Sequence, residues 1–114
     1  MRTLQICLAL MLMLGGFSTA HATCEYPPDV QLPNGATASK DDMTAARTAV
    51  ETYMKAMEAY LACLDTETAS LADEDRTAEQ KTLHAKRHNA AVDAMEGVAA
   101  RFNEQVRAFK AANK

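Results

Sequence analysis

The sequence predicts an all-α protein, a long antiparallel two-helix hairpin with an extended proline-rich N-terminal segment tied to it by a disulfide. Three observations lead to this prediction. Apolar residues recur at helical spacing in two long stretches, and a short acidic joint separates them. Three prolines precede the first stretch. Two cysteines remain for a disulfide once an N-terminal export signal is removed.

Residues 1–22 have the pattern of a cleaved signal peptide. Arg2 supplies the positive charge, residues 6–14 form an apolar run, and Ala20-His21-Ala22 is the small-x-small pattern of a cleavage site. The run is shorter than the roughly 20 residues that a membrane-spanning helix needs. We therefore expect cleavage before Thr23, no stable membrane anchor, and a mature protein that is periplasmic or secreted.

Residues 23–38 are expected to be extended. Pro27, Pro28 and Pro33 exclude a helix over most of this segment, which we call the proline-rich segment. It is nevertheless expected to pack, because it offers Tyr26, Val30 and Leu32 as apolar side chains.

The mature chain retains only Cys24 and Cys63, since Cys7 leaves with the signal. An even number of cysteines in an exported chain favours a structural disulfide. If extended, the proline-rich segment is long enough to run back along the first helix from Ser39 to Cys63. We therefore predict the bond Cys24–Cys63.

The first helix is predicted at about residues 39–67. Ser39 and Asp42 have the spacing of a capping box at its start. Apolar residues then recur at heptad spacing, as in a coiled coil. The predicted stripe comprises Met43, Ala46, Val50, Tyr53, Met57, Tyr60 and Leu64, and Met54 and Leu61 widen it.

A polar joint at about residues 68–76 leads to a second helix at about residues 77–111. Thr77 and Gln80 have the spacing of another capping pattern. Gly97 is expected to mark a bend or a close helix contact. The predicted buried line is Ala91, Met95, Val98, Phe102, Val106 and Phe109.

Charge is unevenly distributed along the mature chain. Residues 23–75 hold 11 acidic and 3 basic side chains, a net charge of −8, and residues 76–114 hold 4 acidic and 8 basic side chains, a net charge of +4. The two halves are therefore expected to attract each other within one chain or between two chains. Acidic residues interrupt the basic half, so nucleic acid is not an expected partner.

His84 and His88 are the candidate metal ligands. Their spacing of four places both imidazoles on one side of a helix, where they could bind Zn or Cu, with Met57 as a possible third ligand. Two histidines do not complete a tetrahedral site. The alternative interpretation is a pair of partly exposed histidines near a helix start.

No pattern in the sequence indicates catalysis or a bound cofactor. It contains neither a nucleophile with a nearby base nor a glycine-rich phosphate loop, and it lacks Cys-x-x-Cys. We therefore expect a protein that is not an enzyme. The side chains that we expect to contact a partner are large and apolar, namely Tyr53, Met57, Tyr60, Met95 and Phe102.

Two resemblances accompany these patterns. The run from Pro33 to Ser39, followed by Tyr60-Leu-Ala-Cys-Leu64, resembles a family of small exported helical proteins from proteobacteria, over about residues 24–67. This resemblance implies an exported helical protein and carries no known activity. Thr77-Ala-Glu-Gln80 is similar to the Leu-Thr-x-x-Gln motif of the Spy type of periplasmic stress chaperone, although Arg76 replaces the leucine.

Three hypotheses about function follow. The first is a noncatalytic periplasmic protein that binds other proteins or serves as an envelope accessory factor. The second is a periplasmic carrier of Cu or Zn that uses His84 and His88. The third is a structural homodimer, in which two hairpins pair into a four-helix bundle.

Overall fold

The computed structural model describes residues 23–114, so the predicted signal at residues 1–22 lies outside the described residues. Helix α1 spans Lys40–Ala69, a single 3-10 turn spans Asp73–Asp75, and helix α2 spans Ala78–Ala112. The helices pack against each other, and residues 23–114 contain no strand. The all-α hairpin is therefore confirmed. No helix in this range is both long enough and apolar enough to cross a membrane.

Helix α1 begins with the capping box that the sequence predicts. The Asp42 N–H donates to Ser39 Oγ at 3.0 Å, and the Ser39 N–H donates to the Asp42 carboxylate at 2.8 Å. The hydrogen bond from the Ser39 N–H, together with one from the Ser39 hydroxyl at 2.7 Å, favours the ionised carboxylate and lowers the pKa of Asp42. The helix runs to Ala69, two residues beyond the predicted end.

Helix α2 begins with a second capping box. The Gln80 N–H donates to Thr77 Oγ1 at 3.2 Å, and the Thr77 N–H donates to Gln80 Oε1 at 2.8 Å. In the preceding joint, Asp73 pairs with both Arg76 and Lys81. These contacts end the acidic joint and set the point at which the chain turns back.

The core lies between the two helices. On α1, every member of the predicted stripe is buried. On α2 only Ala91 and Val98 are buried, with exposed fractions of 0% and 1%. The predicted buried line on α2 is therefore wrong in part, since its remaining members are only half-buried: Met95, Phe102, Val106 and Phe109. Met95, Phe102 and Val106 lie towards one edge of the contact with α1, where no third layer of residues 23–114 covers them, whereas Phe109 lies in the last turn of α2.

Gly97 does not mark a close contact. A Cβ atom built at this position would have no neighbour within 4 Å, and α2 continues without interruption on both sides of it. The prediction of a close helix contact at Gly97 is wrong because this position faces solvent.

The proline-rich segment runs along α1 and is bonded to it. Cys24 and Cys63 form the predicted disulfide, with Cα atoms 5.6 Å apart. The Tyr26 ring meets the Tyr60 ring edge-on, with centroids 5.1 Å apart. Further along, Val30 is buried and Leu32 is half-buried. The segment thus supplies apolar cover along one side of the hairpin.

The same segment also contacts α2. Asp29 forms an ion pair with Arg101 at 2.6 Å, and the Gly35 N–H donates to Gln105 Oε1 at 2.8 Å. Gly35 approaches the helix so closely that a Cβ atom there would lie 1.9 Å from the Gln105 carbonyl oxygen. The proline-rich segment therefore spans the groove between α1 and α2 and forms a third layer on that side.

Candidate functional site

Three of the five predicted partner contacts are buried within a single chain. Tyr53, Met57 and Tyr60 have exposed fractions of 6%, 0% and 7%. The prediction that they present a contact surface is therefore wrong. Met57 lies at the centre of the helix contact, whereas the two tyrosines lie beneath the proline-rich segment. Burial also raises the pKa of Tyr53, because it disfavours the phenolate.

The other two predicted contacts, Met95 and Phe102, remain partly exposed. Five further apolar side chains in residues 23–114 share their half-buried state and their side of the hairpin. Together the seven residues form a surface that we call the open face: Met54, Leu61, Val92, Met95, Ala99, Phe102 and Val106.

Helical geometry explains why this face stays open. On α1, Tyr53 and Tyr60 flank the buried line on one side, and Met54 and Leu61, one residue further on, flank it on the other side. The proline-rich segment contacts the tyrosine side. A single extended segment covers one groove of a two-helix hairpin, so the second groove keeps its apolar lining exposed.

Charged residues lie along the two edges of the open face. On α1 the edge beyond Met54 and Leu61 carries Glu51, Glu58 and Asp65. On α2 the corresponding edge carries Lys81, His88, Glu96 and Lys110. Arg47 also lies on the α1 edge, where it pairs with Glu51 at 3.0 Å. The α1 edge, which also includes Lys40, therefore carries more acidic than basic side chains, and the α2 edge carries more basic than acidic ones.

A second groove follows the proline-rich segment on its outer side. Its largest part has a volume of about 520 Å³. The proline-rich segment forms one wall with Pro27 and Pro28, and α1 forms the other with small residues such as Ala45 and Ala49. The large side chains that line this groove, Val30 and Tyr53, are buried, in contrast to the half-buried side chains of the open face.

His84 and His88 lie on one side of α2, as predicted, with ring centroids 6.3 Å apart. His84 Nε2 lies 3.3 Å from an Asp65 carboxylate oxygen. The one group of three or more close His, Cys, Asp or Glu ligand atoms in residues 23–114 does not include either histidine. The structure thus brings the two histidines together without a third ligand of these types.

That group of three consists of Cys24, Cys63 and Glu67. A Glu67 carboxylate oxygen lies 3.2 Å from Cys24 Sγ. Because the two sulfurs are bonded to each other, they have no thiolate to offer a metal. Glu67 instead pairs with Arg87 at 3.0 Å, which fastens α1 to α2 beside the disulfide.

Polar groups converge most densely near the joint, around a cavity of about 170 Å³. Its lining includes Arg76, His84 and Arg87. Each of these side chains is paired with a carboxylate of the acidic half of the chain: Asp73, Asp65 and Glu67, respectively. The two arginines around the cavity are thus neutralised within the chain, whereas His84 Nε2 and Arg76 Nε are buried without a hydrogen-bond partner in residues 23–114.

Comparison of the chain with protein-family models, with curated proteins and with solved structures finds no match in any of the three.

Proposed function

We propose that the chain is a noncatalytic exported protein that binds a protein partner through the open face. The observation that supports this proposal is the half-buried state of large apolar side chains there, among them Met54, Leu61, Met95 and Phe102. Contiguous apolar surface of this kind is typical of protein interaction sites. The partner contact thus moves from the tyrosine side of α1 to the opposite side of the hairpin.

A noncatalytic role fits the state of the polar groups. The ionisable side chains that converge near the joint, such as His84 and Arg87, are paired with carboxylates of the same chain. Arg87 joins α2 to Glu67 of α1, so this pair has a structural role in holding the two helices together. The cysteine sulfurs are likewise bonded to each other.

Export is part of the same proposal. The Cys24–Cys63 disulfide supports it, because structural disulfides persist in oxidising compartments such as the periplasm and the extracellular space. Expression of the full chain in a bacterial host, followed by fractionation and mass measurement, tests this step. We expect an exported form that begins at Thr23; an intact chain confined to the cytoplasm would contradict it.

Photo-cross-linking in living cells tests the binding surface. A photoreactive phenylalanine analogue at position 102 would occupy the open face, and the same analogue at position 103 would replace the exposed Asn103 on the adjacent side of α2. We expect a discrete protein adduct from position 102 that is absent from position 103. Equal yields at the two positions, or no adduct from either, would refute the proposed surface.

A further inference from the structure

We propose that the partner is a second copy of this chain, and that two hairpins join their open faces into a four-helix bundle. This inference rests on the proposed function, since it names the occupant of the same surface. Three properties of the open face lead to it: its area, its layers of side chains, and the charges at its edges.

The area is sufficient for a stable dimer. Helix α1 has 30 residues and α2 has 35. Their shared length of about 45 Å and a two-helix width of about 18 Å give a face of about 800 Å². Stable interfaces bury about 800 Å² on each partner. A two-helix face of this size therefore meets the requirement without any further element.

The register of the hairpin arranges the open face in layers. His84 and Asp65 are in contact, and Met54 and Met95 each lie 11 residues from that contact along antiparallel helices. The two methionines are therefore level with each other. A two-fold axis parallel to the helices would place Met54 beside Met95 of the second copy and form a layer of four thioether side chains. Methionine adapts readily to such packing.

The edge charges favour the same arrangement. This axis sets α1 of one copy beside α2 of the other, so that the more acidic edge, with Glu58, meets the more basic edge, with His88. A perpendicular axis would set α1 beside α1 and bring acidic residues together. Opposite charges at an interface fix its register and disfavour the wrong pairing. The charge pattern thus favours the pairing of α1 with α2.

Light scattering during size-exclusion chromatography tests the proposal on protein purified from a host that expresses the full chain. We expect twice the monomer mass for the wild type. We expect a monomer for Leu61→Glu, because Leu61 lies in the open face. We expect the same dimer as the wild type for Ala62→Glu, because Ala62 is exposed outside that face. Far-UV circular dichroism establishes that the variants remain helical.

A second pair of variants keeps the test decisive if Leu61→Glu does not fold. Ala99→Arg places a bulky cation at the open face, whereas Ala100→Arg places it on exposed surface one residue away. We expect the dissociation constant of the dimer to rise at least 10-fold for Ala99→Arg and to stay unchanged for Ala100→Arg. A dimer that tolerates both would overturn the proposal, because it would form through a different surface.

The outcomes also separate this inference from the function on which it rests. A monomeric wild type that cross-links to another protein from position 102 would overturn self-association and leave the partner-binding function standing. A monomeric wild type without any adduct from position 102 would overturn both. A dimer whose position-102 adduct has twice the mass of the chain would support both.

Discussion

Asp29 and Arg101 form an ion pair of 2.6 Å that joins the proline-rich segment to α2 across 72 residues of sequence. This ion pair attaches the proline-rich segment to α2, whereas the disulfide attaches it to α1. The Asp29 carboxylate also accepts from the Val30 N–H at 2.9 Å. The hydrogen bond from Arg101 is the main reason why the pKa of Asp29 lies below its usual value of 3.8.

This pair makes a specific contribution to acid stability. Because the folded state lowers the pKa of Asp29, it binds the proton less tightly than the unfolded chain does. The stabilisation is therefore present above about pH 4 and is lost as the pH falls through the folded-state pKa. We expect Arg101→Gln to lower the free energy of unfolding near pH 7 and to have a smaller effect near pH 2, because protonation of the Asp29 carboxylate weakens the pair.

Urea unfolding at the two pH values measures this difference, and NMR titration of Asp29 should show its pKa returning towards 3.8 in Arg101→Gln. Arg107→Gln is the matched control, since Arg107 is exposed on the same helix. Equal destabilisation by both substitutions, or an Asp29 pKa that does not move, would contradict the assignment.

The disulfide should contribute more to the free energy of unfolding than any single ion pair does. It joins residues 39 apart, and closing a loop of this length stabilises the folded state by about 4 kcal/mol in the chain-entropy model. We expect Cys63→Ser to lower the free energy of unfolding by about that amount. Cys24→Ser and the double variant should show the same loss, because each removes one and the same bond. Unchanged thermal melting in Cys63→Ser would show that the bond has no structural role.

Local signals predicted the helices well. Both capping boxes lie where the sequence places them, at Ser39 and Thr77. A capping box requires only residues that are close in sequence, so its pattern can be recognised without knowledge of the tertiary structure. The pairing of Cys24 with Cys63 was equally accessible, since only these two cysteines remain once the predicted signal is removed.

The side of the hairpin that stays exposed could not be predicted in this way. Helical spacing identifies the apolar stripe on α1, but it does not show which flank a distant segment covers. Tyr26 contacts Tyr60, and the proline-rich segment therefore covers the tyrosines that seemed suited to partner contact. Met95 and Phe102, which belong to the predicted buried line on α2, lie instead on the side that the segment does not cover. The difference arises from a contact between residues 34 apart.

Met57 and Met54 provide a direct comparison of core and surface on one helix. Met57 is fully buried, whereas Met54 is half-buried in the open face. Truncation of a fully buried methionine removes its apolar contacts and leaves a cavity, at a cost of about 2–5 kcal/mol. We expect Met57→Ala to destabilise the monomer by this amount and Met54→Ala to destabilise it by clearly less. Chemical denaturation at low protein concentration makes the comparison, and a larger effect at Met54 would show that the assignment of core and face is reversed.

Gly35 and Gly97 should respond in opposite directions to the same substitution. A Cβ atom at Gly35 would lie 1.9 Å from the backbone oxygen of Gln105, so Gly35→Ala must push the proline-rich segment away from α2. Overpacking of this kind costs about 1–3 kcal/mol. A Cβ atom at Gly97 meets nothing within 4 Å, and replacing a mid-helix glycine by alanine stabilises a helix by about 0.5–1 kcal/mol. Thermal unfolding of both variants should therefore show a lower melting temperature for Gly35→Ala and a higher one for Gly97→Ala. A stabilised Gly35→Ala would mean that the segment does not pack tightly on α2, and the third layer of the fold would have to be abandoned.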